Sequence, residues 1–375
     1  MPVRVKISPE TLLWATERSG LNLDSLNDIY PRAIDWIREE SEPTVKQLES
    51  FAKKIHVPFG FLFLSKAPNE KLPVIFYRSN GEIINNPPLV IKDLVNQIKG
   101  KQEWLKDFLI ENNYDNLKFI GALKNFENIS STDAADIIRT NLGLSKTWYE
   151  ETSKSGVFRY WIDKIEKNRI LIISTGFVGN NKRGVDVETC KGFTLVDDIC
   201  PFIYINTNNL GGGRIFTLLH ELIHVFVGNS IGIGYNPIHP SSEPLEKFCD
   251  EVASEILVPS AFFKVSWKSN EDPFLDKIAS LSSQYHVSKL VIARKALDSN
   301  FIQISDFWKF YNNYTNIPYK KSSGGDYWNS KPYEVSRKFY SFVNSALKQG
   351  KILPSNAYKL TNMKANTYEN FKKKS

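Results

Sequence analysis

The hydrophobic pattern of the first 70 residues predicts a bundle of short helices. Apolar residues recur there at the three- and four-residue spacing of a helix face, in short segments separated by turn residues. SPETLLWATERSG carries Pro9 at the first helical position and Gly20 after the last, both typical helix boundaries. Three further helices are predicted in LDSLNDIY, PRAIDWIREES and PTVKQLESFAKKIHVP. We therefore expect a helical domain over residues 1–70.

Residues 71–148 predict a linker and a helical connector. The stretch KLPVIFYRS is extended in character and contains a proline, which is typical of a linker. From Pro88 to Gly143 the pattern predicts amphipathic helices without any motif that carries chemistry.

From residue 149 the pattern changes to a mixture of helices and strands. VFRYWIDKIEKN predicts a helix, and RILIIST, KGFTLVDD and CPFIYINT predict strands. The next segment, GGGRIFTLLHELIHVFVG, is apolar on nearly every side, which predicts a buried helix. SSEPLEKFCDEVASEILVP predicts another helix after it. The fold class that follows is α+β and mostly helical, with a small β-sheet.

The apolar helix contains the motif HELIH. His220 and His224 are four residues apart and therefore lie on one helix face, where both imidazoles can bind one zinc ion. Glu221 stands beside them, in the position of the general base of zinc peptidases. The alternative is a pair of core histidines that hydrogen-bond to backbone carbonyls.

A catalytic zinc site needs a third protein ligand. The HExxHxxGxxH arrangement of metzincins is excluded, because Val227 and Ser230 stand where it needs glycine and histidine. In the following helix, Glu246 and Asp250 lie on the flank of the apolar face, whereas Glu251 projects to the polar side. We therefore predict Glu246 as the third ligand and Asp250 as the group that orients a ligand imidazole. The alternative is a solvated charged helix.

The two segments RIFTLLHELIHVFVG and EKFCDEVASEILVP together resemble the ImmA/IrrE family of zinc metallo-endopeptidases, of gluzincin type. The family's second motif, E-x-x-A-N/D followed by F-A-x-x-L-x-P, is matched at Glu246, Asp250, Leu257 and Pro259. The chain departs from that motif in two places, with Cys249 for the alanine and Val252 for the phenylalanine. The resemblance implies a peptidase core over residues 149–262.

The resemblance also implies a function. Proteins of this family cleave a helix-turn-helix transcriptional repressor in a stress or mobile-element (prophage) response, with Zn²⁺ as cofactor and Glu221 moving the proton. Tyr235 and His239 are candidates for the oxyanion stabiliser only by their nearness in sequence. Two alternatives remain open: a DNA- or protein-binding transcriptional regulator, antitoxin-like, with a non-catalytic zinc site, and a stress sensor whose terminal domain switches the peptidase on.

The N-terminal domain resembles the helix-turn-helix module of phage-type (XRE/Cro-like) repressors. Its 70 residues carry nine basic and ten acidic side chains, so it has no excess positive charge for phosphate contacts. Docking or dimerisation is therefore at least as well supported as DNA binding.

The C-terminal third predicts two more helical regions. Residues 263–300 resemble a second helix-turn-helix that contains Arg294 and Lys295, for which packing against the peptidase is favoured over nucleic-acid contact. Residues 301–375 carry thirteen Lys and Arg against four Asp and Glu, together with sixteen aromatic residues. DNA or another nucleic acid is therefore a candidate partner of either terminal domain.

The remaining composition bears on location. No apolar run approaches the ~18 residues that a membrane span needs, and MPVRVKISPE lacks the layout of a signal peptide. Cys190, Cys200 and Cys249 are odd in number and show no CxxC spacing, which speaks against a disulfide framework. We expect a cytoplasmic protein without a membrane partner, and the sequence leaves its oligomeric state open.

Overall fold

A computed structural model of the 375-residue chain describes residues 3–68, 72–77, 87–179, 183–208, 213–233, 243–315 and 327–374. The chain divides into two units, one of Met1–Leu72 with Asn86–Asp93 and one of Pro73–Asn85 with Leu94–Ser375. Within the described ranges, no helix combines the length and the apolar character needed to cross a membrane.

The first unit contains the four helices that the sequence predicts. They are α1 (Pro9–Arg18), α2 (Leu23–Ile29), α3 (Arg32–Ile37) and α4 (Val45–Lys54). Helix α4 begins with a capping box, in which Thr44 and Gln47 exchange hydrogen bonds between side chain and backbone. Trp36 and Phe51 meet edge to face at 5.7 Å in the buried centre of the unit.

The second unit is built around a mixed five-stranded sheet. Its strands are β1 (Ile75–Tyr77), β2 (Leu171–Ser174), β5 (Gly192–Leu195), β6 (Phe202–Ile205) and β7 (Ile231–Ile233), in the order β1-β7-β5-β6-β2. Strand β5 is antiparallel to both of its neighbours, and β1 is parallel to β7. The two short strands β3 (Phe177–Val178) and β4 (Arg183–Gly184) form a separate antiparallel pair. The predicted linker KLPVIFYRS therefore contributes an edge strand of this sheet.

The described part of the chain contains thirteen further α-helices. They are α5 (Leu89–Glu111), α6 (Ser131–Leu142), α7 (Val157–Lys167), α8 (Gly213–Val227), α9 (Pro244–Leu257), α10 (Ser260–Ser269), α11 (Phe274–Gln284), α12 (Lys289–Asp298), α13 (Ile304–Thr315), α14 (Tyr327–Val335), α15 (Arg337–Lys348), α16 (Pro354–Thr361) and α17 (Ala365–Lys374). The apolar helix α8 packs on β5 and β6 and against α9. The prediction of a mostly helical α+β fold with a small sheet is thereby confirmed.

Helix α12 is joined to α9 by a buried ion pair. Its Lys295 is buried and forms an ion pair of 2.8 Å with Glu255 on α9. Arg294 instead pairs with Asp298 on its own helix, at 2.9 Å. Because Lys295 forms a buried ion pair with Glu255, α12 packs against α9, as the sequence favours.

Candidate metal centre

Two adjacent helices carry the predicted site residues. Helix α8 supplies His220, Glu221 and His224, and α9 supplies Glu246 and Asp250. The two histidines and both glutamates are at most 1 % exposed. Buried polar groups of this kind need partners: His220 has Asp250 and Glu246, and Glu221 has Thr194.

The ring nitrogens of the two histidines converge with one carboxylate. Nε2 of His220 lies 3.1 Å from Nε2 of His224 and 3.1 Å from Oε2 of Glu246, and Nε2 of His224 lies 3.5 Å from Oε1 of Glu246. Ligand atoms that share a tetrahedral zinc ion at its usual bond lengths are about 3.3 Å apart. The three side chains therefore have the spacing and the donor chemistry to hold one such cation.

Asp250 fixes the orientation of the first imidazole. Its Oδ1 lies 2.8 Å from Nδ1 of His220, so that Nδ1 donates to the carboxylate and Nε2 faces Glu246. Burial acts to lower the pKa of His220, but the hydrogen bonds to Asp250 and Glu246 outweigh it and raise the pKa to about 10. Two carboxylates thus favour positive charge at one imidazole. A metal ion would compete with the proton for this place.

The second imidazole has a different environment. Burial lowers the pKa of His224 to about 4, so its ring is neutral near pH 7 and has a lone pair to offer. Its Nδ1 lies 3.8 Å from Sγ of Cys249. His220, His224 and Cys249 form another group whose ligand atoms lie within 4.8 Å of one another. However, Cys249 approaches Nδ1, on the side of the ring away from Nε2, so Glu246 fits the converging nitrogens better.

Glu221 is held beside these residues by the sheet. Its Oε2 accepts a hydrogen bond of 2.7 Å from the hydroxyl of Thr194 on β5, and its Oε1 has no hydrogen-bond partner among the described residues. A Cβ added at Gly192 would lie 2.9 Å from that Oε1 and 2.9 Å from the backbone carbonyl oxygen of Tyr204, so this position next to the carboxyl group requires glycine. Burial raises the pKa of Glu221 to about 8, which makes its carboxylate a stronger base than an exposed one.

The structure brings the predicted residues together and adds two. Glu251 is exposed, as its helical bearing predicts, and lies near Lys247 rather than near the histidines. Tyr235 and His239 lie outside the described residues. Gly192 and Thr194 were not expected at the site; the one signal for them was a glycine inside a predicted strand, which marks a close approach to the backbone.

Comparisons with known proteins identify two regions of the chain. Residues 335–374 match a family described only as a domain of unknown function (DUF8813). No curated protein and no solved structure gives a significant match. Residues 166–297, which include the HELIH helix and the glutamate helix, match a peptidase family described as the IrrE N-terminal-like domain. This part of the chain therefore resembles that peptidase domain.

Proposed function

We propose that the protein is a zinc-dependent endopeptidase of gluzincin type. The observation that carries this proposal is the convergence of Nε2 of His220, Nε2 of His224 and the Glu246 carboxylate within 3.5 Å of one another, with Glu221 buried alongside. Two imidazoles and one carboxylate are a donor set of catalytic zinc sites, which leave one position open.

His220, His224 and Glu246 hold the ion in this proposal, and Asp250 keeps the His220 ring in the binding tautomer. Zinc in such a site acts as a Lewis acid on the scissile carbonyl and lowers the pKa of water.

The chain's own acid-base chemistry rests on Glu221. The hydrogen bond from Thr194 occupies Oε2 and fixes the plane of the carboxyl group, which leaves Oε1 to take a proton from the attacking water. The raised pKa suits this role, because a group whose pKa lies near the working pH can both take the proton and give it to the leaving amine.

The substrate we propose is a helix-turn-helix transcriptional repressor, as the resemblance to the ImmA/IrrE family implies. Cleavage would release the repressed genes in a stress or mobile-element response, in the cytoplasm where such repressors act.

The test is incubation with zinc and each helix-turn-helix repressor encoded beside the gene, using wild type, Glu221→Gln and Glu251→Gln. Glu251 is exposed on α9, so its variant is a control for the same charge change. We expect cleavage by wild type and Glu251→Gln and none by Glu221→Gln, with one zinc per chain in all three. Cleavage that persists in Glu221→Gln refutes the assigned base, and a failure of wild type to cleave any such repressor refutes the substrate.

The alternative of a regulator with a structural zinc site has less support. A structural zinc site would need only ligands, and Glu221 is fully buried without being placed as a ligand. Burial of a carboxyl group with one unsatisfied oxygen destabilises the fold, and a catalytic role explains its retention.

A further inference from the structure

The positive charge of the protein is concentrated in its last helices. The segment 335–374 contains nine Lys and Arg and a single acidic residue, Glu369, whereas the whole chain has a net charge of +7. The rest of the chain is therefore close to neutral. This segment coincides with the match to the domain of unknown function, which assigns it no activity.

The aromatic residues of this segment are used internally. Tyr340 on α15 packs against Tyr368 and Phe371 on α17, with ring centroids 5.1 and 4.5 Å apart. On the opposite side, Phe339 meets Trp104 of α5 at 5.7 Å. Each of these aromatic side chains of the segment is buried. Bases of a single strand therefore find no exposed aromatic platform among them, and the surface that remains is polar and basic.

One face of α15 forms a polar groove. The groove has a volume of about 370 Å³ and is lined by Arg337, Tyr340, Ser341, Asn344, Ser345 and Lys348. Arg337 and Lys348 stand at its two ends, eleven residues apart and thus about 16 Å along the helix. Both are exposed, and neither forms an ion pair with a described residue.

The last turn of α17 packs next to this groove, and the chain around α16 carries further exposed basic residues. Because Phe371 packs on Tyr340, the last turn of α17 lies beside the first half of α15, and that turn continues through Lys372–Lys374 in the chain. Lys359 on α16 and Lys364 are also exposed without an ion pair among the described residues. Hydroxyl and amide groups between cationic side chains are the donors that proteins use to contact phosphate oxygens.

We propose that this polar, basic face of α15 binds the phosphate backbone of double-stranded DNA. The buried aromatic rings offer no stacking platform for a single strand, which favours a duplex, and the proposed action on DNA-bound repressors favours DNA over RNA. Binding rests on charge and on backbone contacts, so it is largely independent of base sequence. If the proposed function holds, this surface also concentrates the peptidase where DNA-bound repressors are found.

The test measures binding of the full-length chain to a labelled 30-base-pair DNA duplex by fluorescence anisotropy at several salt concentrations. The variant is Arg337→Gln with Lys348→Gln. The matched control is Lys264→Gln with Lys268→Gln, which removes the same charge from exposed positions on α10. A third protein, Arg337→Lys with Lys348→Arg, keeps the charge of the groove.

We expect the slope of log affinity against log salt concentration to be about 1.8 less steep for the groove variant than for wild type. Two phosphate contacts are lost, and each contributes about 0.9 to this slope. At 0.1 M salt its affinity should fall by roughly tenfold or more, because counterion release for two contacts is lost. The control and the charge-keeping variant should bind like wild type.

Equal losses in the groove variant and the control overturn the proposal, because they would show a general charge effect. It is also overturned if wild type binds no duplex DNA, or binds single-stranded DNA, duplex RNA or anionic lipid vesicles more tightly. None of these measurements depends on peptidase activity, so a failed cleavage experiment and a failed DNA experiment remain distinguishable.

Discussion

Asp250 offers a direct test of how the metal site is organised. Its carboxylate is 2.8 Å from Nδ1 of His220, with the Asp250 side chain 15 % exposed. Replacement by asparagine keeps an acceptor oxygen of the same size but removes the negative charge. Replacement by alanine removes the acceptor altogether. Neither change touches the nitrogen and oxygen atoms that converge on the proposed ion.

The magnitude follows from the kind of hydrogen bond that is lost. Bonds to a charged group contribute about 1.5–3 kcal/mol, and loss of the carboxylate partner of a metal-bound histidine usually weakens metal binding about 10- to 100-fold. The two ranges agree, since a tenfold change corresponds to about 1.4 kcal/mol. We expect zinc binding to weaken about 10-fold in Asp250→Asn and about 100-fold in Asp250→Ala.

Zinc affinity is measured by competition with a chromophoric chelator at constant pH. The control is Glu251→Gln, one residue further along α9 and exposed to solvent, which should keep the wild-type affinity. If Asp250→Ala binds zinc within twofold of wild type, the orienting role of Asp250 is wrong. Equal weakening in the Glu251 control would show that the overall charge of α9 is responsible.

Three further changes test the surroundings of the site and the fold. Thr194→Val should lower kcat about tenfold or more at unchanged zinc stoichiometry, since it removes the hydrogen bond that positions Glu221; unchanged kcat would contradict this. Gly192→Ala should destabilise the protein by about 1–3 kcal/mol in chemical denaturation, because the new Cβ would lie 2.9 Å from the backbone carbonyl oxygen of Tyr204 and 2.9 Å from Oε1 of Glu221. The control Gly100→Ala, with open space around it in α5, should stabilise by up to about 1 kcal/mol. Burial raises the pKa of Glu166 to about 7 from 4.5, so the folded chain holds a proton that the unfolded chain has released, and stability falls as pH rises from 4.5 through 7. Thermal melting of Glu166→Gln over this range should show a smaller fall than wild type, and parallel curves for the two proteins would refute the linkage.

Much of the candidate site could be predicted because its chemistry is local. His220, Glu221 and His224 form a motif within five residues, and their spacing on a helix follows from helix geometry alone. Glu246 was selected over Glu251 by the same geometry, and the structure places Glu246 against the histidines and Glu251 in solvent. Their roles in binding metal and in catalysis remain predictions.

The contribution of the sheet could not be predicted in the same way. Thr194 meets Glu221 only because β5 pairs with β6 and packs under α8, and such register is set by contacts distant in sequence. The role of Ile75–Tyr77 was missed for a similar reason. Three residues with a proline nearby carry no periodic signal, and their strand character depends on pairing with β7, about 150 residues later in the chain.

This remote pairing has a consequence for dissecting the protein. A shortened chain that begins at residue 149 would contain every predicted metal ligand but would lack β1. Strand β7 would then present unpaired backbone amides and carbonyls, and the buried ring of Phe76 would leave a gap beside Phe193. Open strand edges template intermolecular pairing. A fragment that keeps this sheet intact should therefore start before Pro73, far upstream of residue 149.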